Sequence, residues 1–126
     1  MVTDPIADLL VRLQNASRVG HDAVALPYSQ MKHNIAKILN KEGYVGDVEK
    51  KGHELVVALK YESGRPAILG MKRISKPSRR MYLGVRDVRP VKRGHGMLVM
   101  STPEGILTGK EAQVKRVGGE ALFEIW

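Results

Sequence analysis

VALPYSQMKHNIAKILNKEGY, residues 24–44, decides the fold of the first half, because strand and helix signals alternate within it. Val24-Ala25-Leu26 reads as a short strand, and Pro27 stops it by removing a backbone donor. Ser29 then stands where an N-cap stands, its hydroxyl placed to accept from an amide of the coming turn. Met31, Ile35, Ile38 and Leu39 follow as one apolar stripe, with Lys37 and Lys41 towards the negative end of the helix and Gly43 placed to end it. From Tyr44 to Lys50 the pattern returns to strand. Strand, helix and strand make a βαβ unit, for which the twist of strands favours a right-handed crossover.

Outwards from this stretch the same grammar holds. Thr3-Asp4-Pro5 opens a helix, with Asp4 as N-cap and Pro5 at the first helical position. Ile6, Leu9, Leu10 and Leu13 form its apolar stripe, and Asp8 and Arg12 an i, i+4 ion pair. On the other side, Lys51-Gly52-His53 turns into a strand with Leu55, Val57, Leu59 and Tyr61 on one face. Turn chemistry at Glu62-Ser63-Gly64-Arg65-Pro66 marks a boundary. Residues 1–66 then read as an α/β subdomain ordered α-β-α-β-β. Beyond it, 67–74, 81–85, 97–101, 106–107 and 121–126 read as strands, and Thr108 with Glu111 forms a capping box opening a short helix. Residues 67–126 are therefore mostly antiparallel β with one helix, and the class is α+β.

Composition narrows the function. With 43% apolar and 27% charged residues the chain is a folded domain, and no apolar run approaches the roughly 20 residues that span a bilayer. There is no cysteine, which excludes disulfides, thiolate metal sites and thiol catalysis and fits a reducing cytoplasm. The acidic start at Asp4 does not resemble a secretory signal. The net charge of +8 is unevenly spread. Residues 1–66 hold nine Lys/Arg against eight Asp/Glu, whereas residues 67–126 hold twelve against five. Between Lys72 and Arg93 the only acid is Asp87, so a polyanion is the natural partner of the second half. Aromatic residues make up only 5%, too few for a stacking platform along a single strand, which favours structured RNA read by shape, phosphates and hydroxyls.

Three stretches carry chemistry. In Ser75-Lys76-Pro77-Ser78-Arg79-Arg80-Met81-Tyr82 a proline fixes a turn whose cations Lys76, Arg79 and Arg80 can reach phosphates, while Tyr82 either offers a flat face to RNA or packs in the core. In the stretch from Ser101 to Ala112, Ser101 and Thr102 end a strand. Their small hydroxyls either read the shallow minor groove of an RNA helix or cap the turn's own backbone. Lys110 projects near a helix N-terminus. In Val117-Gly118-Gly119-Glu120 the glycines let backbones approach and expose amides, and Glu120 either accepts from a base amino group or ribose hydroxyl or braces the neighbouring loop.

In this order, and ending at Trp126, the three stretches resemble the family of the eighth protein of the bacterial small ribosomal subunit. Asp4-Pro5-Ile6-Ala7-Asp8, Asn15, Pro27, Lys32, Ile35-Ala36-Lys37-Ile38-Leu39, Glu42-Gly43-Tyr44 and Leu59-Lys60-Tyr61 are similar to it as well, so the resemblance spans essentially the whole chain. It implies two subdomains, the first α/β and the second mostly β, and early binding to an irregular helix in the central domain of small-subunit rRNA. It also implies neighbouring ribosomal proteins as partners, a monomer outside the cytoplasmic ribosome, and repression of a ribosomal-protein mRNA that imitates the rRNA site. In the family the Ser-Thr turn, the Gly-Gly-Glu loop and the Tyr after the basic turn touch RNA. These roles pass to Ser101, Thr102, Gly118, Gly119, Glu120 and Tyr82, with Thr3, Asp4, Asn15 and Lys32 as backbone contacts of the first subdomain. Two positions depart from the pattern: Pro103 replaces a hydroxyl residue, and Gly109 stands where an acid is common.

Two other classes, an enzyme and a free-standing RNA chaperone, fit the sequence less well. Gly94-His95-Gly96 is no phosphate-binding loop, the four histidines lack metal-ligand spacing, and no carboxylate cluster suggests Mg²⁺, so no catalytic, metal or cofactor site is expected. An RNA chaperone outside the ribosome would share the basic surface but would not co-sediment with small subunits.

Overall fold

A computed structural model describes residues 4–126, apart from the side chain of Arg93. The chain divides into two compact units, the first ending at Leu69 and the second running Gly70–Trp126. The division therefore falls three residues after the turn at 62–66. That turn is itself a small hairpin, and Ala67 stays with the first unit by donating its N–H to the Lys60 carbonyl at 2.9 Å.

In the first unit, α1 (Pro5–Val19) begins where Asp4 accepts from the Ala7 amide at 3.1 Å. Its stripe Ile6, Leu9, Leu10 and Leu13 is buried. The strand β1 (Ala23–Pro27) leads to α2 (Gln30–Lys41), capped by Ser29 accepting from the Lys32 amide at 3.2 Å. Then come β2 (Val45–Lys51), β3 (Glu54–Leu59) and the hairpin of β4 (Tyr61–Glu62) with β5 (Arg65–Pro66).

Two details correct the sequence reading. The order in the sheet is β1-β3-β2, with β3 antiparallel to both neighbours. The two strands of the βαβ unit are thus parallel but not adjacent, because the Gly52-His53 turn folds β3 back into the gap between them. On α2 the inward positions are Lys32, Ile35, Ala36 and Leu39, while Met31 is 39% exposed. The buried stripe is rotated by one residue because Lys32 has a carboxylate to meet inside.

The second unit contains β6 (Met71–Arg73), β7 (Tyr82–Leu83), β8 (Met97–Thr102), β9 (Gly105–Thr108), α3 (Gly109–Lys115) and β10 (Gly119–Ile125). Single 3₁₀ turns at Val85–Asp87 and Lys92–Gly94 join β7 to β8. The sheet runs β6-β10-β8-β9, and β7 pairs with the start of β10. The strands around the basic turn are shorter than expected: backbone bonds to β10 end at Ile74, Ser75 and Met81, and the Lys76–Arg79 turn lies between them. The capping box of α3 is formed, with Thr108 Oγ1 accepting from the Glu111 amide and Glu111 Oε1 from the Thr108 amide, each at 3.1 Å. Val88, Val91, Leu98, Met100, Leu107, Ala112 and Ala121 form a core beneath β8, β9 and α3. The α+β class read from the sequence is the one observed.

Candidate nucleic-acid interface

β10 is the organising element of the site. Its first residues pair on one side with β7, Gly119 opposite Leu83 and Glu120 opposite Tyr82, and on the other with β8, Glu120 opposite Ser101. Cross-strand partners share a sheet face, so Tyr82, Glu120 and Ser101 form a row across three strands. Tyr82 is 70% exposed, which settles its two readings in favour of a surface ring. Its hydroxyl and that of Ser101 have no partner among the described residues.

The glycine pair makes this junction possible. A Cβ on Gly119 would lie 2.2 Å from the Ser101 carbonyl oxygen, and one on Gly118 would lie 2.6 Å from that of Leu83. Both are far inside van der Waals contact, so only glycine brings β10 this close to the ends of β8 and β7. The adjoining surface consists of backbone, which suits approach to a groove.

Glu120 lies on this face but is covered by the neck of the basic turn. Its side chain is 15% exposed, and its carboxylate accepts from the fully buried Ser75 hydroxyl and, at 3.1 Å, from Arg80 Nη1. Ser75 Oγ also accepts from the Met81 amide at 3.2 Å. The brace, one of the two roles open to Glu120 from sequence, is formed. Inside it, Lys76 and Arg79 exchange both backbone hydrogen bonds at 2.9 Å across Pro77-Ser78, which holds two exposed cations on a tight turn. Sequence reasoning quoted Ser75 but gave it no role. Its signal is a small hydroxyl at the neck of a proline turn, and its partner lies 45 residues away.

At the end of β8, Thr102 Oγ1 donates to the Gly105 carbonyl at 2.9 Å and accepts from the Glu104 amide at 3.1 Å. Thr102 thus caps its own turn, while Ser101 beside it keeps its hydroxyl uncommitted. Pro103 is exposed in that turn, and the β8–β9 hairpin closes around it with Thr102 opposite Gly105. Gly109 is buried, and a Cβ there would come within 3.0 Å of Val88 Cγ1 and 3.3 Å of Leu98 Cβ, so an acidic side chain would need this packing to open. Lys110 is exposed on α3.

Of the residues expected from the first unit, Thr3 lies outside the described residues. Asp4 is occupied as the cap of α1. Asn15 is exposed beside a shallow groove shared with Arg12, Val19, His21 and Ala25. Lys32 needs correction: it is 5% exposed, and its ammonium lies 3.6 Å from Asp8 Oδ2, so it holds the fold and is not offered to a ligand. The hydrogen bond from Arg12 at 2.8 Å, helped by Lys32, holds the Asp8 carboxyl below the usual carboxylate range against a desolvation penalty. Among the described residues no three His, Cys, Asp or Glu side chains gather as metal ligands.

Comparison with known proteins gives consistent matches. The sequence model of the family described as ribosomal protein S8 matches residues 4–126. Small ribosomal subunit protein uS8 of a Nitratidesulfovibrio vulgaris strain is 48% identical over 126 residues, covering 100% of both chains. That of Oleidesulfovibrio alaskensis is also 48% identical with full coverage of both, and that of Persephonella marina is 43% identical over 136 residues, again with full coverage.

Proposed function

The chain belongs to the ribosomal protein S8 family, and from that premise we propose that it grips one irregular helix in the central domain of small-subunit rRNA and supports early assembly of the subunit. As a family member it is a non-catalytic structural component of the small ribosomal subunit, and it binds small-subunit rRNA in the ribosome among other ribosomal proteins. The observation that carries the finer reading is the row Tyr82–Glu120–Ser101 beside the Gly118-Gly119 backbone. It offers one flat ring, two hydroxyls (Tyr82 and Ser101) without a partner among the described residues, and close backbone approach, with Lys76, Arg79 and Arg80 at its margin. Such a surface fits the wide minor groove of an RNA helix, where base edges and 2′-hydroxyls lie shallow, and irregularity supplies the shape that is recognised. Asn15 adds a contact to the RNA backbone from the first unit, and Lys110 adds one from α3, while Asp4 stays engaged as the cap of α1.

The test is equilibrium binding of the full chain, a monomer outside the ribosome, to a central-domain rRNA fragment and to an unrelated duplex across a salt series. Affinity for both should fall with salt as counterions are released, while the preference for the rRNA fragment persists. Equal affinity for the two RNAs at all salt concentrations would overturn the reading.

A surface that reads shape and a few edges cannot separate two RNAs of matching shape. We therefore extend the proposal to repression of a ribosomal-protein mRNA carrying an imitation of the rRNA site. Rising amounts of the rRNA fragment should displace such an mRNA, and Glu120→Ala should weaken both in the same proportion. Binding of both RNAs at once to one protein molecule would rule out a shared surface.

A further inference from the structure

Resting on that reading of the interface, we propose that Ser75, too deeply buried to touch RNA, is its positioning residue: its hydroxyl clasps the neck of the basic turn and sets where Tyr82 and the cations stand. Ser75 is 0% exposed and fastened from two directions. Its amide and that of Ile74 donate to the Leu122 carbonyl at 3.3 and 3.1 Å. That carbonyl continues the β6–β10 ladder, whose register places Ile74 opposite Leu122, two residues beyond the Lys72–Glu124 pair. The Ser75 hydroxyl accepts from the Met81 amide on the far side of the turn and donates to Glu120, a charge-assisted bond.

Residues 76–80 therefore leave and re-enter the fold through one side chain that donates and accepts together. Tyr82 follows Met81 directly, and the β7 ladder is short. Met81 has two ties: the Ala121 amide donates to its carbonyl at 2.9 Å, and its own amide donates to the Ser75 hydroxyl at 3.2 Å. Alanine at position 75 can do neither half of this. It would loosen the neck of the turn that carries Lys76, Arg79, Arg80 and Tyr82 without deleting any of them, and RNA binding would then have to fix it.

The experiment measures binding of the full chain to the central-domain rRNA fragment and to an unrelated duplex. Wild type, Ser75→Ala, Glu120→Gln and the double variant are compared, with melting followed by Trp126, the only tryptophan. Ser75→Ala loses two hydrogen bonds within the protein and none to RNA. It should weaken the rRNA complex about three- to tenfold, the cost of ordering a loosened turn on binding. Affinity for the unrelated duplex should hold, because every cation remains, and the double variant should bind no more weakly than the weaker single one. Wild-type rRNA affinity in Ser75→Ala, or losses that multiply in the double variant, would overturn the proposal. Should Ser75→Ala melt below the assay temperature, Glu120→Gln decides, with hydrogen exchange at the Met81 amide as readout. Faster exchange accompanying weaker rRNA binding supports the clasp. Weaker binding with unchanged exchange would mean that Glu120 meets RNA itself. A wild type that fails to prefer the rRNA fragment would count against the function proposed above, and Met81 exchange in Glu120→Gln would still judge the clasp.

Discussion

Ser101 and Thr102 are neighbours at one strand end, yet their hydroxyls are engaged differently, and substitutions should separate them. Ser101→Ala removes a hydroxyl with no partner among the described residues, so melting should hold while selective rRNA binding weakens by about 1–3 kcal/mol. Thr102→Ala removes two hydrogen bonds of the β8–β9 turn and should lower stability by about 1 kcal/mol whether or not RNA is present. Thermal melts beside binding isotherms check both; a Ser101→Ala protein that binds normally would remove that residue from the interface. Gly119→Ala is harsher. Its Cβ would meet the Ser101 carbonyl at 2.2 Å, so the ends of β8 and β10 must part, at a cost of roughly 3 kcal/mol in a denaturant titration. The chemistry of these residues was legible in sequence, but how each hydroxyl and carboxylate was used was not. That depended on partners such as the Ser75–Glu120 pair, which only the folded chain brings together.

At the scale of elements, α1 and α2 are joined by Asp8, which takes Arg12 from its own helix and Lys32 from the next. Because the folded pKa of Asp8 is lowered, its contribution is fully present above the ordinary carboxylate pKa of about 3.9. It is lost as pH falls through the lower folded value. Asp8→Asn should cost on the order of 2 kcal/mol at neutral pH, since it strands a buried ammonium. This is less than for a fully buried pair, because the Asp8 side chain is 38% exposed. Denaturant titrations should show the gap between wild type and variant closing below about pH 4; a gap independent of pH would refute the electrostatic account. The helix starts at Asp4, Ser29 and Thr108 were readable because capping acts over three residues. The strand order β1-β3-β2 was not, because the same periodicity serves either neighbour. Lys32 misled for a related reason: a lysine on a helix reads as surface until a carboxylate on another helix is placed against it.

At the scale of the molecule, the charge asymmetry and the fold agree. The second unit carries twelve Lys/Arg against five Asp/Glu, and it also holds the row of Tyr82, Glu120 and Ser101. Glu120 on that face is engaged by the Ser75 hydroxyl and the Arg80 guanidinium, so the one carboxylate in the row is screened by a cation. The first unit is nearly balanced in charge, and its Asp8–Lys32 pair is internal. One structured RNA site is therefore expected, read chiefly by the second unit, with phosphates contributing strength and groove edges contributing choice. Hydroxyl-radical footprinting of the full chain on complete small-subunit rRNA tests this most directly. The account predicts one protected region, an irregular helix of the central domain with its minor-groove riboses shielded, and loss of that protection in Ser101→Ala at concentrations where the wild type still protects. Protection scattered over many helices, or a footprint that Ser101→Ala leaves intact, would contradict it.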